Sequence, residues 1–122
     1  MKHYDAIVIG SGQGGTPLAK KLAKRGLQTA IIERRFIGGT CINDGCTPTK
    51  TMVASARMMH LAKKSKMLGI NIKNAELNFK KVIRRKNKIV EDFRNGGEEG
   101  LQKTIACKFE TSTGKVCANG HD

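Results

Sequence analysis

Aromatic residues are scarce in this sequence: the 122 residues include no Trp, one Tyr and four Phe. Proteins that bind single-stranded nucleic acid by base stacking need aromatic side chains along a basic surface, so the scarcity disfavours that class. The chain also lacks any run of roughly 18 consecutive apolar residues and any export signal at its N-terminus. Its length leaves no room for two domains. The sequence therefore predicts one soluble domain in the cytoplasm.

Acidic residues are few, with 10 Asp and Glu against 23 Lys and Arg, which gives a formal net charge of +13. The excess is concentrated in residues 57–88, which carry 11 basic residues and one acidic residue. One interpretation of this segment is a module that binds a polyanion or another protein chain. We favour a second interpretation, in which these lysines and arginines cover the exposed faces of helices.

The first third of the chain alternates between strand-like and helix-like patterns. Residues 4–9 are apolar apart from Asp5, and hydrophobicity that does not alternate is typical of a strand buried on both faces. Apolar residues at helical spacing predict a helix over residues 16–25, and Gly26 ends it. Residues 29–33 form a second buried strand. This order predicts a βαβ unit, and with it an α/β fold with a parallel sheet.

The rest of the chain contains two longer helical patterns and a weaker end. A glycine-rich loop with Pro48 in the first helical turn leads into a helix that continues to about residue 68 and stops at Gly69. A second helix starts near Phe79, and its pattern weakens past Gly96. Residues 105–110 and 115–118 have the composition of two short strands.

A glycine motif lies between the first strand and the first helix, with Gly10, Gly12 and Gly15 in the spacing GxGxxG. In a dinucleotide site the first glycine makes the tight turn, the second admits the pyrophosphate, and the third lets helix and strand pack closely. Glu33 ends the second strand, where a carboxylate binds the adenosine ribose and disfavours a 2′-phosphate. FAD or NAD therefore fits better than NADP. The alternative is a structural turn, with Glu33 as a surface residue.

A pair of cysteines, Cys41 and Cys46, lies where the glycine-rich loop enters the next helix. The helix N-terminus and Lys50 favour a thiolate there. Such a pair can accept two electrons from a flavin and pass them on by thiol–disulfide exchange. The alternatives are two inert thiols, or a zinc site completed by Cys107 and Cys117, for which the spacing is poor.

The cysteine segment resembles the signature of the class I pyridine nucleotide-disulfide oxidoreductases, the family of dihydrolipoamide dehydrogenase, glutathione reductase and mercuric reductase. Similarity runs from about Tyr4 to Lys103, and the variants Thr47 and Thr49 are most similar to the mercuric reductase-like branch. The nine fixed residues of the signature are Gly38, Gly39, Thr40, Cys41, Asn43, Gly45, Cys46, Pro48 and Lys50.

The resemblance implies a Rossmann-like FAD-binding domain of three layers, incomplete at its C-terminal side. In that family Cys41 would be the interchange thiol that meets the substrate, and Cys46 would be the thiol that faces the flavin. The residues that the resemblance places around FAD are Gly10, Gly12, Gly15, Glu33, Thr40 and Lys50. No metal ligand is implied.

The implied reaction passes a hydride from NADH or NADPH to FAD, then reduces the dithiol, and then reduces a small disulfide such as lipoamide or glutathione, or Hg²⁺. Family members are homodimers and several times longer. We therefore expect residues 1–103 to be the N-terminal part of the FAD domain and residues 104–122 a divergent or truncated tail. We expect the NAD(P)H and dimerisation domains to be absent and the chain to be inactive alone. His3, His60 and His121 are expected to be bystanders.

Overall fold

The structure, a computed structural model, describes residues 3–105 and the backbone of residues 115–118. Strands and helices alternate at first and helices follow, as the sequence predicts for an α/β fold. The elements are β1 (Ala6–Ile9), α1 (Gly15–Lys24), β2 (Thr29–Glu33), α2 (Gly39–Asn43), α3 (Cys46–Lys64), a 3₁₀ helix (Ser65–Leu68), α4 (Phe79–Gln102) and β3 (Lys115–Ala118).

The first two strands and α1 form the predicted βαβ unit. β1 and β2 are parallel, with Ala6 opposite Thr29. β3 pairs with the other edge of β2 and runs antiparallel to it, so β2 is the central strand. The strand predicted at 115–118 is therefore confirmed. Of the strand predicted at 105–110, Ile105 lies in the turn after α4, and residues 106–110 lie outside the described residues.

One face of the sheet packs against α1 and the C-terminal end of α4. Val8 of β1 and Ile31 of β2 are paired neighbours on this face, and Leu101 of α4 is fully buried against the same cluster. The buried residues of this core are Val8, Ala19, Ile31, Ile37, Leu101 and Ile105. Burial of each large aliphatic side chain stabilises the fold by roughly 1.5–3 kcal/mol, so the end of α4 is part of the core that holds the βαβ unit.

The opposite face of β1 is open within the described part of the chain. Ile7 and Ile9 are 58% and 84% exposed, whereas four of the five residues of β2 are buried. The expectation that the first strand is buried on both faces is therefore wrong for these residues. The physical reason is that no element among the described residues covers this face of β1, which is also an edge strand of the sheet.

α4 continues past the glycines where the sequence pattern weakens and ends only at Gln102. Gly97 packs against the loop after β2, since a Cβ there would lie 3.2 Å from Ile37 Cγ2. A Cβ at Gly100 would lie 2.8 Å from Lys20 Nζ of α1. Close packing against neighbouring elements therefore outweighs the low helix propensity of glycine.

α3 begins at Cys46, and Pro48 lies in its first turn as predicted. The last predicted turn of this helix is the 3₁₀ segment, which ends at Gly69 in a left-handed conformation with φ +74°. Among the helices formed by residues 3–105, none is both long enough and apolar enough to cross a bilayer.

Candidate functional site

The glycine loop between β1 and α1 has the geometry that its spacing predicts. Gly10 adopts φ +95°, which favours glycine. A Cβ at Gly15 would lie 1.9 Å from the Gly10 carbonyl oxygen, so only glycine allows α1 to start this close to the strand. A Cβ at Gly12 would meet only the Gly39 Cα, at 3.9 Å, so a ligand can approach the Gly12 backbone closely.

The N-terminus of α1 follows this loop directly. Its N-cap is Gly14, no side chain forms a capping hydrogen bond, and the first turn contains no acidic residue. In this first turn the Thr16 N–H donates to the Gly12 carbonyl at 3.2 Å and Pro17 has no N–H, so α1 contributes chiefly the positive end of its helix dipole. The loop and helix together therefore fit the diphosphate of a dinucleotide.

Ser11 connects the glycine loop to the end of β2, and this contact was not predicted from the sequence. Its N–H and its hydroxyl both donate to Glu33 Oε2, at 2.9 and 2.7 Å. Its carbonyl accepts from the Thr16 hydroxyl at 2.8 Å. The signal available in the sequence was a small polar residue inside a GxG turn followed by an acidic residue at the end of the next strand.

Glu33 is only 8% exposed, so it is not the surface residue of the alternative reading. Burial opposes ionisation of its carboxyl group, but hydrogen bonds from the Ser11 hydroxyl, the Ser11 N–H and the Arg35 N–H outweigh burial. Together they hold the pKa of Glu33 below its ordinary value of 4.5. The carboxylate is therefore ionised at neutral pH and fixed beside the glycine loop.

The glycine loop also touches the loop that carries the cysteines. Gly39 has φ +61°, and a Cβ there would lie 2.7 Å from Gly12 Cα. The Gly38 N–H donates to the carbonyl and the hydroxyl oxygen of Ser11, both at 3.2 Å. The glycine loop and the start of α2 are thus built as one unit.

The two cysteines lie in adjacent helices and are both free thiols. Cys41 lies within α2 and is half-buried, whereas Cys46 is the first residue of α3 and is exposed. Gly45 makes their approach possible, because a Cβ there would lie 3.0 Å from the Thr40 carbonyl oxygen and 3.3 Å from Cys41 Cα.

The Cys41 thiol has a pKa above its ordinary value of 9.0. The largest cause is the hydrogen bond from the Cys41 S–H to Cys46, followed by burial and by repulsion between two thiolates. The Cys46 backbone N–H and the positive charge of Lys50 act in the opposite direction. The stabilisation of a thiolate by Lys50 that the sequence predicts is therefore present, but at Cys41 it is outweighed.

Asn43, the last residue of α2, organises the turn that precedes the cysteines. Its Nδ2 donates to the carbonyl oxygens of Phe36, Ile37 and Gly39 at 3.3, 3.2 and 2.8 Å. Its Oδ1 accepts from Arg94 Nε of α4. The Arg94 guanidinium carbon also lies 3.9 Å from the centre of the Phe36 ring. The sequence contains Asn43 as part of the signature but gives no signal for Arg94, which is 51 residues away.

A second arginine lies on the outside of the same turn. Arg35 forms a two-pronged ion pair with Asp44, with Nη–Oδ distances of 2.7 and 3.3 Å. Both side chains are largely exposed, and such surface pairs contribute only about 0–1 kcal/mol.

The basic segment lies mainly on α3 and α4, and all of its cationic side chains except Lys86 are exposed. Most of these side chains therefore lie on exposed helix faces, as we expect. Because a polyanion-binding surface would also be exposed, the choice between the two interpretations stays a prediction. Arg85 joins the two helices, since its Nη2 donates to the Thr51 carbonyl at 2.5 Å and to the Ser55 hydroxyl at 2.9 Å. A groove of about 810 Å³ lies between the helices, beside the stripe of Lys81, Arg84, Arg85 and Lys88.

The remaining predictions fall on exposed or undescribed residues. Thr40 and Lys50 are exposed on α2 and α3, and His3 and His60 are exposed. Residues 3–105 contain no cluster of three or more side chains that could hold a metal ion. The side chains of Cys107, Cys117 and His121 lie outside the described residues, so the zinc alternative stays a hypothesis.

The sequence matches the profile of the pyridine nucleotide-disulphide oxidoreductase family over residues 4–120, and the chain belongs to that family. It is 38% identical over 93 residues to a dihydrolipoyl dehydrogenase of Chlamydia trachomatis, which covers 76% of this chain and 20% of the relative. It is 36% identical over 93 residues to a mercuric reductase of Lysinibacillus sphaericus, covering 76% of this chain and 17% of the relative.

Among solved structures, the fold is similar to the Cu(II) complex of a mutant of RclA, the HOCl-induced flavoprotein disulfide reductase of Escherichia coli. The TM-score is 0.67 at 35% identity, with 85% of this chain and 20% of that chain covered. These matches confirm the resemblance that the motifs indicate and the Rossmann-like fold. Enzymes of this family use FAD and NAD(P)H. The chain spans about a fifth of the length of the curated relatives it matches.

Proposed function

We propose that this chain provides the diphosphate-binding loop and the redox dithiol of an FAD-dependent disulfide oxidoreductase. The observation that supports the proposal best is the contact between the two loops. Gly12 and Gly39 meet backbone to backbone, and Ser11 bonds to both Glu33 and Gly38. A dinucleotide held at the glycine loop would therefore lie beside the segment that carries the thiols.

The residues around the cofactor have separate tasks in this proposal. The open Gly12 backbone and the uncapped start of α1 bind the diphosphate. Glu33 binds the adenosine ribose in exchange for one of its Ser11 hydrogen bonds. Thr40 and Lys50 lie on the flavin side. FAD, when bound, supplies the two-electron relay between NAD(P)H and the dithiol.

The dithiol performs the exchange with the substrate. The Cys41 thiolate attacks a substrate disulfide and displaces one substrate thiolate, which takes up a proton, leaving a mixed disulfide. The Cys46 thiolate then attacks the Cys41 sulfur and releases the second substrate thiolate. The substrate disulfide is reduced by two electrons to two thiols, and Cys41 and Cys46 are oxidised to one disulfide. Because the pKa of Cys41 is raised, a base must take its proton at neutral pH.

We propose that the substrate is a small disulfide or a metal ion such as Hg²⁺. The similarity to proteins named dihydrolipoyl dehydrogenase and mercuric reductase supports these two chemistries. We further propose that residues 1–103 constitute the N-terminal part of the FAD-binding domain, and that the functional form is a cytoplasmic homodimer that receives electrons from NADH or NADPH.

Binding of FAD to the full chain tests the proposal, with two alanine variants as a matched pair. Neither Gly12 nor Gly14 has a positive φ, and a Cβ at Gly14 would meet nothing within 4 Å. Gly12→Ala places its methyl group where the diphosphate approaches, so we expect FAD affinity to fall on the order of ten-fold or more. Gly14→Ala should bind nearly as the unmodified chain. Quenching of flavin fluorescence measures both.

Equal FAD affinity in the Gly12→Ala variant and the unmodified chain would overturn the proposal, as would failure of the unmodified chain to bind FAD at all. Circular dichroism of both variants checks that the fold is retained. If both variants lose FAD binding, the loss is not specific to Gly12. The ligand would then bind elsewhere on the loop, which contradicts the role assigned to Gly12.

A further inference from the structure

Helix α2, which carries Cys41, is held in place by a residue from a distant part of the chain. Arg94 lies in α4, and its Nε donates to Asn43 Oδ1 at the end of α2. Its guanidinium carbon stacks 3.9 Å from the centre of the Phe36 ring. The side chain therefore contacts both the loop before α2, at Phe36, and the end of α2, at Asn43. It is half-buried, so solvent screens these contacts only in part.

The hydrogen bond from Arg94 requires one of the two orientations of the Asn43 side-chain amide. Arginine only donates hydrogen bonds, so it requires the amide oxygen of Asn43 on its side. The amide nitrogen is then directed at the three carbonyl oxygens of Phe36, Ile37 and Gly39. The three carbonyl oxygens favour the same orientation, because the flipped amide would place an oxygen against them. Arg94 adds the donor from which Asn43 Oδ1 accepts, so removing Arg94 leaves that oxygen without this partner.

We infer that Arg94 is a positioning residue for the Cys41–Cys46 pair. It sets the end of α2 through Asn43, and the end of α2 lies between the two cysteines in the chain. Arg94 does not contact the thiols in this inference. It acts through Asn43 on the backbone between the cysteines, and so on how close the two sulfur atoms come. The inference rests on the proposed redox function of the dithiol.

The expected consequence is a change in the stability of the Cys41–Cys46 disulfide. An intramolecular disulfide forms readily when the chain holds its two thiols close together, which corresponds to a high effective concentration. Releasing Asn43 adds freedom to the segment between the thiols and lowers that concentration. A hydrogen bond to a charged group is typically strong enough to change an equilibrium on the order of ten-fold or more. The disulfide of an Arg94 variant should therefore be reduced more easily by that factor.

The test equilibrates the full chain with glutathione and glutathione disulfide at several ratios. Each Cys41–Cys46 disulfide that forms converts one glutathione disulfide into two glutathione thiols. Alkylation and peptide mapping then measure the fraction oxidised. Arg94→Leu removes the donors and the charge, and Arg94→Lys keeps the charge but not the planar group. Arg84→Leu is the matched control, because it removes one exposed arginine from the same helix.

The measured quantity is the equilibrium constant for oxidation of Cys41 and Cys46 by glutathione disulfide. We expect Arg94→Leu to lower this constant on the order of ten-fold and Arg94→Lys to lower it by a smaller factor. Arg84→Leu should leave it unchanged. Asn43→Ala should lower it as well, and adding Arg94→Leu to Asn43→Ala should have little further effect, since both act through one contact. Unchanged equilibrium constants in both Arg94 variants would overturn the inference.

Two outcomes separate this inference from the proposed function. If the unmodified chain forms no Cys41–Cys46 disulfide at any glutathione ratio, the proposed dithiol function fails. If the unmodified chain forms it and Arg94→Leu is unfolded by circular dichroism, the Arg94→Lys variant decides, because it retains a long cationic side chain at the position.

Discussion

The two halves of the described chain reach their positions by different physical means. In residues 6–45, backbones meet directly at glycines, as at Gly12 and Gly39, and short side chains such as Ser11 complete the contacts. In α3 and α4, long side chains make the contacts, and Arg85 bridges the two helices from their surface. The first half therefore tolerates almost no added volume at Gly15, Gly39 and Gly45, whereas in the second half a position such as Gly96 has room for a side chain.

The largest expected effect comes from adding one methyl group in the first half. In Gly15→Ala the Cβ would lie 1.9 Å from the Gly10 carbonyl oxygen, so the backbone of the loop must move. We expect a loss of about 3 kcal/mol in the free energy of unfolding. Gly96→Ala is the control in α4, where a Cβ meets nothing, and should stabilise the chain by about 0.5–1 kcal/mol. Urea unfolding measures both, and similar values for the two variants would contradict the comparison.

A smaller effect is expected from Glu33→Gln, which replaces one acceptor oxygen by a donor, so that either Ser11 or the Arg35 N–H loses its acceptor. Hydrogen bonds to a charged group contribute about 1.5–3 kcal/mol, so we expect a loss of about 2 kcal/mol at pH 7. The pKa of Glu33 is lowered in the folded state. Its contribution to the free energy of unfolding is therefore complete above the ordinary pKa of 4.5 and is lost as pH falls through the lower folded pKa.

The pH dependence of unfolding measured between pH 7 and pH 2 checks this prediction. The variant should lose less stability on acidification than the unmodified chain does. Glu91→Gln is the control in the second half, because Glu91 is exposed on α4. An acid response of Glu33→Gln equal to that of the unmodified chain would show that the Ser11 contacts contribute nothing to the linkage.

The smallest effect concerns the reactivity of one thiol and leaves the fold unchanged. Cys46→Ala removes the main cause of the raised pKa of Cys41, so that pKa should fall and Cys41 should react faster with iodoacetamide near neutral pH. Lys50→Met removes a charge that lowers the same pKa, so Cys41 should react more slowly. The alkylation rate of Cys41 as a function of pH measures both. Slower alkylation in Cys46→Ala would contradict the assigned cause.

The sequence was sufficient to predict the parts of the fold that depend on local patterns. β1, α1 and β2 follow from apolar runs and glycine spacing, because a tight turn and a close helix start each require glycine at one fixed position. The same holds for the placement of Cys46 at the start of α3, where Pro48 indicates the first helical turn.

Other features depend on contacts between distant residues and left no local pattern. The end of α4 is helical because Gly97 and Leu101 pack against β2 and its loop, although glycine itself disfavours a helix. The exposure of Ile9 depends on what covers the sheet and not on the strand itself. The bond between Arg94 and Asn43 joins residues 51 positions apart, so the sequence of either segment alone carries no signal for it.

The backbone contact between Gly12 and Gly39 has a thermodynamic consequence. At this contact neither residue has a side chain to absorb a displacement, so a ligand that shifts the glycine loop also shifts the segment that leads to Cys41. Linkage is reciprocal: if a bound dinucleotide changes the equilibrium between dithiol and disulfide, the oxidation state of the cysteines must change the affinity for the dinucleotide by the same factor. The contact between Gly12 and Gly39 would then couple the oxidation state of the cysteines to the affinity for the cofactor.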